Sequence, residues 1–105
     1  MSDFKTVAKV GEVPEGEARA YEVDGVMVAV FHVGGEYTAM DDCCPHQGAP
    51  LSEGHIEGDS VTCPWHAWRF SIKDGTWLDN LKSKLKVEMY EVRVEGNEIQ
   101  VRVPD

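Results

Sequence analysis

The sequence predicts an all-β protein, an antiparallel sandwich or small barrel that carries two irregular loops at one end. Short apolar runs separated by glycine turns predict the strands, and regular alternation of apolar and polar residues near the C-terminus supports them. No amphipathic pattern is longer than about two helical turns. DNLKSKLKVEM, residues 79–89, is the best helix candidate, and its apolar spacing is weak. With 105 residues, the chain is expected to form one domain over residues 1–105.

The first half of the chain predicts an antiparallel meander. Strands are expected at Ala18–Val23 and at the nearly all-apolar Val26–Val33, joined by Asp24-Gly25, a strong signal for a tight hairpin. Gly34-Gly35 then turns the chain into a third strand, Glu36–Met40. Because the middle strand is apolar at nearly every position, we expect it to be buried on both faces.

The second half predicts a C-terminal hairpin and two shorter strands. Tyr90–Val94 and Glu98–Val103 flank Gly96-Asn97, and their alternation indicates a hairpin with one wet face. Strands around Ser60–Thr62 and Arg69–Ile72 would flank the second of the two loops described below. Glycine turns thus punctuate the whole chain.

Composition and charge limit what such a protein does. Apolar residues make up 42% of the chain and charged residues 28%, an ordinary globular balance, and no apolar run approaches a membrane span. The net charge is −9, and residues 41–80 contribute −5 of it with seven acidic and two basic residues. This charge disfavours nucleic acid and anionic membranes and favours a basic protein partner. The N-terminus lacks a secretory pattern, which predicts a cytoplasmic protein.

Two loops combine cysteine with histidine. CCPHQGAPL spans Cys43–Leu51, and CPWHAWRF spans Cys63–Phe70, after enough intervening chain to return beside the first. Three interpretations are open: buried side chains without a metal, a structural Cys₂His₂ zinc site, or an asymmetric centre in which one metal takes two thiolates and another takes two imidazoles. Zinc fingers usually group cysteines with cysteines, whereas here each loop supplies one of each. The candidate ligands are Cys44, His46, Cys63 and His66.

At these residues the chain resembles the Rieske family. CPHQGAPL and CPWHAWRF match its pattern, C-x-H-x-G-x-x-L followed by C-x-x-H, at every fixed position, and the glycine turns extend the resemblance over about residues 18–103. It implies the Rieske fold, with a cluster-binding subdomain at about residues 41–72. It also implies one [2Fe–2S] cluster, with Cys44 and Cys63 on one iron and His46 and His66 on the other.

The resemblance also implies the kind of Rieske protein. High-potential members carry a disulfide across the cluster, where this chain has Ala49 and Trp65, and direct hydroxyls at sulfur, where it has Trp68 and Phe70. With fewer hydrogen bonds to sulfur, the midpoint potential is expected near the lower end of the family range. Related ferredoxins often have a proline-rich third loop beside the cluster. Residues 74–90 contain no proline, so what covers that side stays open.

The resemblance implies an electron-transfer protein rather than an enzyme. The chain would be a ferredoxin that carries one electron at a time from a flavoprotein reductase to a terminal oxygenase. The alternative is the Rieske-fold small subunit of assimilatory nitrite reductase, bound to a large subunit. An oxygenase in its own right would need a second domain with a mononuclear iron site.

Three other side chains have two interpretations each. Cys43, beside Cys44, is either a substitute ligand or redox thiol, or a neighbour that points into the fold, which we expect. His55 is expected to be a solvated loop histidine, and His32 to lie at a strand end or wet edge. Three lysines, Lys82, Lys84 and Lys86, indicate a solvated face or a second docking patch.

Overall fold

The computed structural model describes residues 3–44, 49–64 and 68–103, and its regular structure consists almost entirely of antiparallel strands. The described residues contain no α-helix, which confirms the predicted all-β class. The strands are β1 (Lys5–Lys9), β2 (Glu17–Val23), β3 (Val26–Val33), β4 (Glu36–Asp41), β5 (His55–Glu57), β6 (Ser60–Thr62), β7 (Arg69–Ser71), β8 (Met89–Glu95) and β9 (Glu98–Arg102). A short 3₁₀ turn, Leu51–Glu53, lies between β4 and β5.

Six strands form a large sheet in the order β1-β9-β8-β4-β3-β2. Its two edge strands, β1 and β2, contact each other, so the sheet curls almost into a barrel. The predicted hairpin between β2 and β3 is confirmed, with Val23 opposite Val26. Asp24 and Gly25 connect them with φ of 51° and 83°, the backbone that a type I′ turn requires.

Three short strands form a second sheet in the order β5-β6-β7. Cys63 follows β6 directly, and Arg69 begins β7, so the predicted strands do flank the second loop. β1 and β5 were not predicted. β5 pairs with β6 from His55 opposite Thr62 to Glu57 opposite Ser60.

Two apolar clusters lie on opposite faces of β3. Val28 and Val30 belong to a barrel core, and Ala29 and Phe31 belong to an interface core, and all four are fully buried. This alternation explains why the strand is apolar at successive positions and confirms its predicted burial on both faces. The interface core joins the two sheets and contains Ala18, Ala29, Phe31, Met40, Cys44, Ala49, Leu51, Val61, Cys63, Phe70, Ile72 and Val87.

The helix candidate over residues 79–89 is wrong. The segment that returns from β7 to β8, residues 72–88, which we call the return segment, is made of turns and isolated bridges. Side-chain oxygens take its backbone donors: Lys82 N–H donates to Asn80 Oδ1 at 3.3 Å, and Leu85 N–H donates to Ser83 Oγ at 3.1 Å. Such local bonds compete with the helical ladder, which is why Asn and Ser here favour turns.

Within the described residues, no helix has the length and apolar character needed to cross a lipid bilayer.

Candidate metal centre

Two candidate ligands, Cys44 and Cys63, lie in the interface core between the two sheets. Their exposed fractions are 1% and 2%, so both are shielded from water. Each follows the end of a strand pair: Cys44 comes three residues after β4, and Cys63 comes directly after β6. The structure therefore brings two sulfur donors, 19 positions apart in sequence, into one apolar cluster.

The two loops begin with the same backbone hydrogen bond. Cys44 N–H donates to the carbonyl of Ala49 at 2.9 Å, and Cys63 N–H donates to the carbonyl of Trp68 at 2.7 Å. In both cases the acceptor lies five positions after the cysteine, so four residues intervene in each loop. Two loops of unrelated function would not need matched closures, and this equivalence supports a shared site built from both.

Asp42 fastens the far end of the first loop. Its carboxylate accepts the backbone N–H of Ser52 at 2.7 Å and the hydroxyl of Ser52 at 3.0 Å. Both bonds are half-buried, where hydrogen bonds to a charged acceptor are stronger than at an open surface. Gly54 lies close by, and a side chain there would collide with the carbonyl of Thr62, directly before Cys63.

Asp79 does the same for the second loop. Its carboxylate accepts the backbone N–H of Arg69 at 2.7 Å and Arg69 Nε–H at 3.0 Å. These hydrogen bonds hold the pKa of Asp79 below its ordinary value, the backbone N–H of Arg69 being the largest cause. Sequence reasoning missed this pair. No pattern in the sequence signals it, because Asp79 reaches Arg69 only through the register in which Phe70 pairs with Trp77.

Both candidate histidines fall outside the described residues. His46 lies in the gap at 45–48, and His66 lies with Trp65 in the gap at 65–67. Among the described residues, no three side chains of the metal-ligating types gather into one group. The four-residue ligand set thus stays a prediction, of which the structure places the two sulfur donors.

Cys43 does not point into the fold, and the expectation that it would is wrong. It is an exposed free thiol, in contrast to its buried neighbour Cys44. Partial burial, followed by the charges of Asp41 and Asp42, raises the pKa of the Cys43 thiol. Because a thiolate is the form that binds metal, a raised pKa makes Cys43 a poor substitute ligand.

The positions that lack hydroxyls are filled by aromatic rings. Phe70 is fully buried in the interface core and pairs with Trp77 in an isolated bridge. Trp68 stacks on Trp77 with ring centroids 4.2 Å apart and an interplanar angle of 21°. The return segment, through Trp77, therefore packs against the second loop. On this side of the second loop, the residue that packs against Trp68 is Trp77 and not part of a proline-rich turn.

Negative charge concentrates beside the first loop. Burial raises the pKa of Asp41, and the charges of Asp42 and Glu88 raise it further. Burial, with the charges of Asp41 and Glu88, also raises the pKa of Tyr90 to about 12. Burial is the largest cause of these shifts, and the neighbouring carboxylates add to it in the same direction.

His32 and the lysines lie where the sequence predicted, whereas His55 matches its prediction only in being exposed. His32 is the penultimate residue of β3, stacks on Tyr37 at 4.2 Å and contacts the carbonyl of Val13 at 2.8 Å through Nδ1. His55 is exposed, although it begins β5 instead of lying in a turn. Lys82, Lys84 and Lys86 are all exposed.

Comparison with known families and relatives agrees with this geometry. A family model described as a Rieske [2Fe-2S] domain matches residues 3–91. The 3-phenylpropionate/cinnamic acid dioxygenase ferredoxin subunit of Escherichia coli (strain K12) is 42% identical over 97 residues, which are 91% of this chain and 90% of that one. The ferredoxin subunit of the same name from Shigella flexneri matches equally well.

Solved structures with the same fold include carriers and a reductase subunit. The ferredoxin of carbazole 1,9a-dioxygenase from Nocardioides aromaticivorans IC177 superposes with a TM-score of 0.85 at 32% identity, over 93% of this chain and 95% of that one. A complex of reduced oxygenase and oxidized ferredoxin in carbazole 1,9a-dioxygenase also matches, with a TM-score of 0.83 at 29% identity and coverage of 93% and 91%. A putative NADH-dependent nitrite reductase small subunit from Mycobacterium tuberculosis gives a TM-score of 0.89 at 25% identity and covers 100% and 98%.

Proposed function

The chain belongs to the Rieske [2Fe-2S] domain family, and from this we propose that it is the ferredoxin of a multicomponent dioxygenase, which takes one electron from a flavoprotein reductase and delivers it to a terminal oxygenase. It is an electron-transfer component and not a catalyst. The observation that carries the proposal is the burial of two matched loop cysteines, Cys44 and Cys63, in one apolar core. Similarity over nine-tenths of the chain to dioxygenase ferredoxin subunits supports the choice of system.

The described residues fit a [2Fe–2S] cluster by their chemistry. Soft thiolate donors suit iron–sulfur centres, and both sulfur donors of the site lie away from water. We propose that Cys44 and Cys63 hold one iron and that His46 and His66 hold the other. When bound, the cluster accepts and releases a single electron.

The protein matrix around the cysteines sets the environment in which that electron is held. Ala49, Leu51, Val61 and Phe70 are fully buried beside them and supply no polar atom from their side chains. Phe70 in particular offers no hydroxyl toward sulfur. Four apolar side chains that offer no hydroxyl donor disfavour the more negative reduced state, which supports a potential low in the family range.

The surface beside the first loop suits a basic partner. Glu53, Glu57 and Glu88 are exposed there or on adjoining elements, and Asp41 and Asp42 add charge at the loop itself. Such a negative field speeds encounter with a positively charged surface. We propose that reductase and oxygenase both present basic residues to this face, and the complex of an oxygenase with its ferredoxin among the structural matches supports such docking.

A second candidate function is the small subunit of a nitrite reductase. The fold match to the putative Mycobacterium tuberculosis subunit favours it, because that superposition covers the whole of this chain. The two proposals differ in how long the chain stays bound to its partner protein. A carrier must leave one partner to reach the next, whereas a subunit stays bound.

One experiment separates these proposals. The protein is purified from its native cells, and its elution on gel filtration is compared with that of the recombinant chain. We expect elution as a small protein, and the reduced form should be re-oxidised rapidly by a substrate-loaded terminal dioxygenase in stopped-flow. Co-elution with a large reductase that resists dilution, together with no electron transfer to dioxygenases, would select the subunit instead.

We further propose a cytoplasmic location. An exposed free thiol at Cys43 suits a reducing compartment, since thiols in oxidising compartments usually pair.

A further inference from the structure

The return segment is attached to the second loop by a set of contacts that the ligand pattern does not explain. Asp79 accepts two hydrogen bonds from Arg69, at 2.7 and 3.0 Å, and Leu78 N–H donates to the carbonyl of Arg69 at 2.8 Å. Arg69 directly follows Trp68, whose carbonyl accepts the hydrogen bond that closes the loop from Cys63. Asp79 is thus linked to a candidate ligand through two neighbouring residues: it binds Arg69, and Trp68 accepts the hydrogen bond from Cys63 N–H.

Trp77 adds an aromatic contact to the same place. Its ring stacks on Trp68 at 4.2 Å, and both rings pack against the interface core that contains Cys44 and Cys63. The indole Nε1–H of Trp77 is buried and meets no acceptor at full hydrogen-bonding geometry among the described residues, but it lies near enough to Asp79 to help lower the pKa of that carboxyl.

We propose that Trp77 and Asp79 are positioning residues for the second ligand loop, which fix Trp68 and Arg69 and thereby keep Cys63 in place and water away from the cluster. The inference rests on the proposed role of Cys63 as a ligand. In this arrangement Asp79 fixes the backbone at the end of the loop, and Trp77 provides the apolar cover. Neither residue touches the metal.

The competing explanation is that these contacts only stabilise the hairpin of β7 and the return segment. That role would lower the melting temperature of a variant and leave the reduction potential of the folded protein unchanged. Positioning predicts a change in potential, because added solvent stabilises the more negative reduced state. The potential therefore distinguishes the two roles.

The test compares two pairs of variants in the purified, cluster-loaded protein. Trp77→Ala removes the stacked ring, and its control, Tyr37→Ala, removes a ring stacked on His32 at the same 4.2 Å but at the far end of β4. Asp79→Ala removes an acid paired with arginine, and its control, Glu91→Ala, removes an equal charge paired with Arg102 between β8 and β9. Trp77→Phe keeps a stacking ring without the indole Nε1–H.

Two quantities are measured: the midpoint potential, and the rate at which an iron chelator bleaches the visible absorption. Loss of an outer support typically costs about tenfold or more in metal retention, so Trp77→Ala and Asp79→Ala should bleach about tenfold faster. Both should also show a raised potential. Trp77→Phe, Tyr37→Ala and Glu91→Ala should match the unmodified protein.

Unchanged potentials in both Trp77→Ala and Asp79→Ala would overturn the proposal, as would equal bleaching in Asp79→Ala and Glu91→Ala. A phenylalanine variant as poor as the alanine variant would overturn the role of the stacked ring. Should the alanine variants not accumulate, Asp79→Asn against Glu91→Gln gives the same comparison. Cys63→Ser is prepared in parallel: if it keeps the cluster, the ligand assignment has failed, and if it loses the cluster, a null result counts against the positioning role alone.

Discussion

The two candidate ligand loops are closed in the same way and fastened to different surroundings. In each, the cysteine N–H donates to a carbonyl five residues on, and an aspartate outside the loop binds the backbone N–H and the side chain of one residue near its end. In the first loop this aspartate is the half-buried Asp42, and its partner is the neutral Ser52. In the second loop it is the more exposed Asp79, and its partner is the cation Arg69.

The two loops therefore differ in net charge and in apolar cover. The charge of Asp42 is not neutralised by its partner, and it adds to that of Asp41 and Glu88 to make the first loop negative. The charge of Asp79 is neutralised by Arg69, and Trp77 covers the second loop with an apolar ring. The negative charge suits the first loop to recognition of a partner, and the apolar cover suits the second to exclusion of water, although the same ligand types are proposed for both.

The largest effect is expected from the proposed cysteine ligands, one in each loop. Cys44→Ser and Cys63→Ser should each abolish the cluster, because a hydroxyl does not replace a thiolate on iron. The unmodified protein should contain two irons and two acid-labile sulfides per chain. Chemical analysis of iron and sulfide, with the visible spectrum, checks both statements.

Cys43→Ser is the matched control for Cys44→Ser. It changes an adjacent thiol that is exposed and carries a raised pKa, and should leave the iron content unchanged. Cluster loss in the Cys43 variant with retention in the Cys44 variant would mean that the ligand of the first loop is the other cysteine.

The next largest effect is expected from the hydrogen bonds between Asp42 and Ser52 beside the first loop. Asp42→Ala leaves the half-buried Ser52 N–H and hydroxyl without their acceptor, which should lower the free energy of unfolding by about 1–3 kcal/mol. Denaturant titration of the cluster-loaded protein measures this. Asp79→Ala, in a more exposed setting, should cost less, and the reverse order would break the comparison between the loops.

Much of the fold could be predicted because its turns carry their own signals. Asp24-Gly25 and Gly96-Asn97 set two hairpins whose observed strands match the predicted bounds within one residue. β1 could not be found this way, since its residues pair with residues of β9 that lie 89 to 96 positions further along the sequence. The false helix at 79–89 failed because Asn80 and Ser83 side chains take the backbone donors that a helix would need.

In the sequence, the candidate ligands stand out, whereas the residues that support them do not. Cysteine and histidine are chemically rare enough for their spacing to indicate metal. Asp42 and Asp79 look like any surface acid in the sequence, and only the folded register brings them to Ser52 and Arg69. Trp77 likewise gains its role from a stack that depends on the Asp74-Gly75 turn.

A moderate effect is expected on electron-transfer rates. Glu53 and Glu57 are exposed, whereas Asp41 and Asp42 are half-buried and fastened, so the former pair is the better probe of docking. Glu53→Gln with Glu57→Gln should weaken the dependence of the stopped-flow rate on ionic strength, because exposed charges are screened within about 10 Å at 0.1 M salt. The midpoint potential should stay the same. The control of equal charge is Glu91→Gln with Glu95→Gln, on β8. An equal loss of salt dependence in both double variants would show that the net charge alone sets the rate, without a local docking face.

A smaller effect is expected from a single hydroxyl in the second loop. Phe70→Tyr places a donor where high-potential relatives are expected to have one, and a hydrogen bond to sulfur favours the reduced state. The midpoint potential should rise, as measured by voltammetry. Phe31→Tyr, also fully buried in the interface core but on β3, is the control, and an equal rise in both variants would trace the shift to core polarity instead of the loop.

The smallest effect is a pair of opposite pH dependences. The pKa of Asp41 is raised in the folded protein, so its ionised form opposes folding above that pKa, and the penalty disappears as the pH falls below the ordinary value of 3.8. The pKa of Asp79 is lowered, so its ionised form supports folding above the ordinary value, and this support is lost as the pH falls through the lowered pKa.

At pH 7, Asp41→Asn should therefore raise the melting temperature slightly, and Asp79→Asn should lower it. Both differences should shrink as the pH falls, the first above pH 3.8, where it vanishes, and the second below pH 3.8. Thermal melts of the two variants between pH 7 and the acid limit of the folded protein measure this, with Glu36→Gln, an exposed acid on β4, as the control. Melting shifts of the same sign in both variants would contradict this difference between the loops, because the opposite signs follow from burial beside like charges at Asp41 and from the hydrogen bonds that Asp79 accepts from Arg69.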